Sequence, residues 1–106
     1  MSGTWQLTAT GLARAFVRGE TTPSAHLEQV LARIAELNPK LNAIIALDPG
    51  AREAALESSR RIAAKRARSP LEGVPLTVKD NILVAGLPST WGSRLFEHYV
   101  PASDEL

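Results

Sequence analysis

Helical periodicity carries this chain as far as Ala67 and then vanishes, and that break constrains the fold more than any other feature of the sequence. Before it, apolar residues recur every three or four positions. From Ser69 onward, Pro70, Gly73, Pro75, Gly86, Pro88, Gly92 and Pro101 punctuate short apolar runs. The chain thus divides near residue 70 into a helical leader, 1–70, and a strand-and-loop segment, 71–106.

Within the leader, Thr8 or Thr10 caps a short helix that carries Leu12, Ala15 and Phe16 on one face and stops at Gly19. Thr22-Pro23 opens a second helix, with Pro at the position where its missing N–H costs nothing. Leu27, Val30, Leu31, Ile34, Leu37 and Leu41 give that helix an apolar stripe, and Asn38-Pro39 is expected to end it. Asn42 to Leu47 is too short and too apolar for a surface helix and reads as a buried strand. Asp48-Pro49 starts a third helix expected to run to about Ala67. Its apolar side is mostly Ala with Leu56 and Ile62, so it lies lightly on its support. Beyond the break, Val74 to Lys79 alternates like a strand with Pro75 near its start. Ile82 to Ala85 is a second candidate strand, followed by a turn at Gly86-Leu87-Pro88.

A length of 106 residues leaves room for one small domain or a piece of a larger one. The 44% hydrophobic content includes sixteen alanines, and three of the five aromatic residues fall between Trp91 and Tyr99. A chain this short buries only about two thirds of its unfolded surface, so modest stability is expected. Twelve Lys and Arg against eleven Asp and Glu leave a net charge of +1, which gives no reason to expect direct nucleic-acid binding or an acidic membrane. The absence of Cys removes disulfides, thiolate metal sites and cysteine nucleophiles together. The longest apolar run, Ala43 to Leu47, falls far short of the roughly 20 residues of a membrane span. Met1-Ser2-Gly3-Thr4 opens neither a signal peptide nor a myristoylation motif, which makes a soluble cytoplasmic protein the default expectation.

Chemistry-bearing residues are sparse. His26 is expected on a helix surface and His98 in a loop, and no carboxylate is spaced to complete a metal site with either. There is no G-x-S-x-G elbow, P-loop or G-x-G-x-x-G. Arg60, Arg61, Lys65, Arg66 and Arg68 read either as a phosphate or RNA patch or as a solvated helix end. No aromatic residue interleaves with them, so the second reading is favoured. Ser89, Thr90 and Ser93 are loop hydroxyls of the kind that usually cap backbone. Lys79 ends an apolar strand beside Asp80. Such a pair is commonly an exposed strand end; the alternative is a lysine carried into the interior to serve as a base. A lysine base must be held neutral, which requires about 4–5 kcal/mol of destabilisation of its charged form at pH 7. Net stability for a domain of this size is only about 5–15 kcal/mol. A lysine base here therefore implies more protein than these residues supply.

The run Leu71-Glu72-Gly73-Val74-Pro75-Leu76-Thr77-Val78-Lys79-Asp80-Asn81, then Val84-Ala85-Gly86-Leu87-Pro88-Ser89-Thr90, then Gly92-Ser93, closely resembles the amidase signature family. The leader is similar too, with Thr22-Pro23-Ser24 before a Leu-striped helix and Asn38-Pro39-Lys40-Leu41-Asn42-Ala43 before a short apolar strand. Trp91 departs from the pattern, standing where the family more often has a small residue, and Glu105 stands where Ala is common. The resemblance implies an α/β fold, a large mixed β-sheet covered by helices, of which this chain forms the N-terminal helices and first strands. It implies hydrolysis of a small-molecule carboxamide by a Ser–Ser–Lys triad, with Lys79 as the catalytic lysine and no cofactor or metal. Both serines lie, in the family, in a Gly/Ser-rich stretch well downstream. The 106-residue chain, supplying one group of three and lacking the remainder of the amidase fold, is therefore expected to be inactive alone. Two other functions stay open on these residues: the catalytic subunit of a tRNA-dependent amidotransferase working with partner subunits, and a small helical binding module.

Overall fold

Thr8 begins the first helix of the computed structural model, its hydroxyl accepting a hydrogen bond from the Gly11 N–H at 3.0 Å. The structure describes residues 3–105, and the chain divides into two units, Met1–Pro75 and Leu76–Leu106. The first unit is helical: a 3₁₀ turn at Thr4–Gln6, then α1 (Ala9–Val17), α2 (Pro23–Leu41) and α3 (Ala51–Ala63). The second is built of turns, with a 3₁₀ turn at Arg94–Phe96.

The caps follow the sequence at two of three helix starts. Thr22 accepts from the Ala25 N–H, with Pro23 just inside α2. At α3 the cap differs from expectation. Asp48 Oδ1 instead accepts from the Gly50 N–H at 2.8 Å, and the helix begins at Ala51 without a side-chain cap. Its end also comes early, at Ala63, where Lys65 takes a left-handed conformation at φ 58°. The Arg66 and Lys65 N–H groups then satisfy the carbonyls of Arg61 and Ile62. Nor does Asn38-Pro39 stop α2. Pro39 sits in the last turn, where it sacrifices one backbone bond, and the helix closes at Asn42 with φ 49°.

None of the three expected strands forms among the described residues. Segments 42–47, 74–79 and 82–85 carry no ladder. A strand exists only as a member of a pair, and these segments find no partner backbone. Their backbone groups find other partners: the Ile44 N–H donates to Asn38 Oδ1 at 2.9 Å and its carbonyl accepts from Asn38 Nδ2 at 2.8 Å, while Leu83 and Ala85 bond to Asp104 and Glu105.

The helical unit's apolar core is small: Leu12, Ala15, Phe16 and Leu27, with Pro23 fully buried beside them. His26 is buried in it rather than on a helix surface. The 3₁₀ turn folds back so that Thr4 Oγ1 lies 2.7 Å from His26 Nδ1, and Phe16 packs edge-on against the ring at 6.1 Å. Burial lowers the imidazole's pKa. Of the α2 stripe only Leu27 is fully buried; Val30 to Leu37 are half-buried and Leu41 is exposed.

Glu72 closes the unit from the far side. Its buried carboxylate accepts from Ser58 Oγ at 2.9 Å and from the Arg68 backbone at 3.2 Å. The Arg68 guanidinium adds two further bonds, each 2.9 Å. Hydrogen bonding from Arg68, then from Ser58, holds its pKa down at about 2. A carboxylate depressed in the fold adds stability above the ordinary carboxylate range and loses it as pH falls towards the folded value. Arg68 is largely exposed, so after screening we expect roughly 1–3 kcal/mol, lost between about pH 5 and 2. Urea midpoints measured across that window should fall more steeply for the parent than for Glu72→Gln, which keeps only the contributions of other carboxylates such as Asp80. Parallel curves would refute the assignment.

Candidate active site

In the second unit the hydrogen bonds beside Lys79 centre on its neighbour, Asp80. The Lys79 carbonyl accepts the Ile82 N–H at 3.0 Å, closing a turn over 79–82. The Asp80 carbonyl accepts the Ser89 hydroxyl at 2.8 Å, and Ser89 is 1% exposed. The Asp80 carboxylate takes the Thr90 N–H at 2.7 Å, the Thr90 hydroxyl, and more weakly the Gly92 N–H at 3.4 Å. Those donors, led by Thr90, lower the carboxyl's pKa.

The receiving turn is itself pinned. Ser89 N–H donates to the Tyr99 carbonyl at 3.1 Å and Gly86 N–H to that of Pro101 at 3.0 Å. Further along, Glu105 N–H bonds the Leu83 carbonyl, while the Asp104 and Glu105 carboxylates accept from the N–H groups of Ala85 and Leu83. Side-chain carboxylates thus stand in for part of an antiparallel ladder. Gly86, at φ 81°, supplies the third position of the Val84–Leu87 turn, where a positive φ is required.

Trp91 is the anomaly. It holds φ 51° between Thr90 and Gly92, a conformation that costs a non-glycine residue about 1–2 kcal/mol. Its ring packs against Phe96 at 5.2 Å and Tyr99 at 5.9 Å.

The structure leaves Lys79 exposed on segment 74–79, and no carboxylate among the described residues forms an ion pair with it. Ser93 caps the last 3₁₀ turn by accepting from the Leu95 N–H. Of the basic cluster, Arg60 and Arg61 approach Glu57 at 4.0 and 3.2 Å, and Arg68 grips Glu72 at 2.9 Å. Pairing of this kind suits a solvated helix end. Among the described residues no three His, Cys, Asp or Glu side chains gather to hold a metal, and no helix is long and apolar enough to cross a membrane.

Two residues with central roles escape a reading of the sequence. Glu72 had a usable signal, its four-residue spacing from Arg68. Asp80 had only the distant Ser89-Thr90 pair, which needed an acceptor that sequence spacing does not locate.

The family model for amidases matches residues 25–106. A glutamyl-tRNA(Gln) amidotransferase subunit of Deinococcus deserti is 53% identical over 95 residues, which are 90% of this chain and 19% of that protein. The like-named subunit of Roseiflexus sp. (strain RS-1) is 40% identical over 100 residues, 93% of this chain and 20% of that protein. Among solved structures, native peptide amidase from Stenotrophomonas maltophilia superposes with a TM-score of 0.88 at 33% identity, covering 95% of this chain and 21% of that one. The chain therefore spans about one fifth of the length of the curated relatives it matches. Since the matched region takes in most of α2, all of α3 and the whole Lys79–Asp80–Thr90 cluster, this chain belongs to the amidase family.

Proposed function

We propose that residues 1–106 are the lysine-bearing N-terminal part of a single amidase domain that hydrolyses carboxamide C–N bonds. The observation that carries this is the family match across the motif containing Lys79. In this reading Lys79 acts as a neutral amine. Through a bridging serine it takes the proton of the nucleophilic serine, whose oxygen bonds to the amide carbonyl carbon. Collapse of the tetrahedral intermediate breaks the C–N bond, the proton returns to the departing nitrogen, and ammonia leaves an acyl-enzyme that water hydrolyses. Both serines belong to the part of the domain outside these residues, so residues 1–106 alone turn over no amide. Segments 42–47, 74–79 and 82–85 become strands of the complete α/β sheet once partner strands are present.

A second reading is favoured by the 53% identity to an amidotransferase subunit. There the same chemistry releases ammonia for transfer, and the protein works with partner subunits. The two are separated by assaying the protein as its gene encodes it for ammonia release from a peptide C-terminal amide and from glutamine. Release from simple amides by the protein alone supports the amidase. Release only with copurifying subunits and charged tRNA supports the amidotransferase. No release under either condition would overturn both.

A further inference from the structure

Two consecutive residues, Lys79 and Asp80, accept five hydrogen bonds between them, four of them from the Ser89–Gly92 turn. The side chain of Lys79 remains exposed and without an ion-pair partner among the described residues, while the chain that carries it is clamped. The turn doing the clamping keeps Trp91 in a left-handed conformation, a strain that persists only where the surroundings over-determine it. An aspartate next to a lysine base also carries a hazard. Facing the amine, its charge would favour the ammonium form. Here the carboxylate is committed to Thr90 and Gly92 instead.

We propose that Asp80 is a positioning residue for Lys79, locking the 79–82 turn onto the Thr90–Gly92 turn so that the lysine backbone is fixed before substrate arrives. The inference rests on the reading of Lys79 as the base. Its benefit is pre-organisation: a base misplaced by about 1 Å loses on the order of 100-fold in rate. Thr90 is the other half of the lock, because its N–H and hydroxyl both serve the same carboxylate.

The test uses the protein as its gene encodes it, with ammonia release as the readout. Asp80→Asn and Thr90→Val should each lower kcat about 30- to 100-fold with KM changed less than threefold. The double variant should be little worse than either single one, and Thr90→Ser, which keeps the hydroxyl, should recover most of the rate lost in Thr90→Val. Melting temperatures report folding separately. Single variants that keep kcat within threefold, or losses that multiply in the double variant, would overturn the lock. Lys79→Ala run alongside distinguishes the two failures: if it stays active, the base assignment is wrong, and if it is dead while Asp80→Asn is normal, only the positioning role is wrong.

Discussion

Lys79→Ala, made in the protein as its gene encodes it, should abolish amide turnover, lowering kcat/KM by about 10⁴- to 10⁶-fold, the loss seen when one member of a catalytic unit is removed. A lysine that serves as a base must be enclosed by the rest of the domain at a cost to stability, so the same change should not lower the melting temperature. Lys79→Arg discriminates further. Arginine keeps the positive charge but cannot be deprotonated at neutral pH, so a role as proton acceptor is lost while a role in merely attracting an anion survives. Both variants should therefore be dead. An arginine variant with a substantial fraction of the parent rate would make Lys79 an electrostatic group, and an alanine variant within tenfold of the parent would remove it from the mechanism.

Gly73→Ala should be the most damaging small change in the helical unit. At φ 84° the backbone there is costly for any side chain, and a Cβ would lie 2.3 Å from Pro23 Cγ and 2.9 Å from its Cβ, with Phe16 at 3.5 Å. Pro23 is fully buried and rigid, and Phe16 is core, so neither yields easily. Strain and overpacking together should cost about 2–4 kcal/mol, a large part of the stability of so small a core. Gly86→Ala is the matched control, because it has a similar φ of 81° but nothing within 4 Å. Its cost should be about 1 kcal/mol, from the backbone alone. Urea denaturation followed by circular dichroism compares them. Equal midpoints for the two variants would show that the contact with Pro23 is not tight.

What can be read from the sequence depends on the range of the interaction. Thr8, Thr22-Pro23 and Gly19 act on their own helix termini, and each does in the structure what its local chemistry requires. Leu12, Ala15, Phe16 and Leu27 follow from helical spacing alone. Val74 to Lys79 shows the limit: alternation says which faces a strand would present but contains no information about the backbone that must pair with it. The burial of His26 is illegible for a related reason. Nothing in its own helix buries it, and the turn at Thr4 that covers it comes from 22 residues upstream. The Asp80 cluster is the same problem at the candidate site, since a carboxylate that organises a turn ten residues away looks, in sequence, like any charged strand end.

The Asn38 grip on Ile44 has a bearing on solubility and assembly. In extended chain the N–H and carbonyl of one residue point to the same side, and those of its neighbours point to the other. With both Ile44 groups taken by the Asn38 amide, an incoming strand cannot pair with Ile44 on that side, while the groups of Ala43 and Ile45 face the opposite way. At Ile44, therefore, a sheet that recruits this segment adds its neighbour on the Ala43 and Ile45 side. The same contact shortens one of the two templates that unpaired apolar backbone offers to a stray chain. A helix-terminal asparagine thus serves as a bumper as well as an anchor.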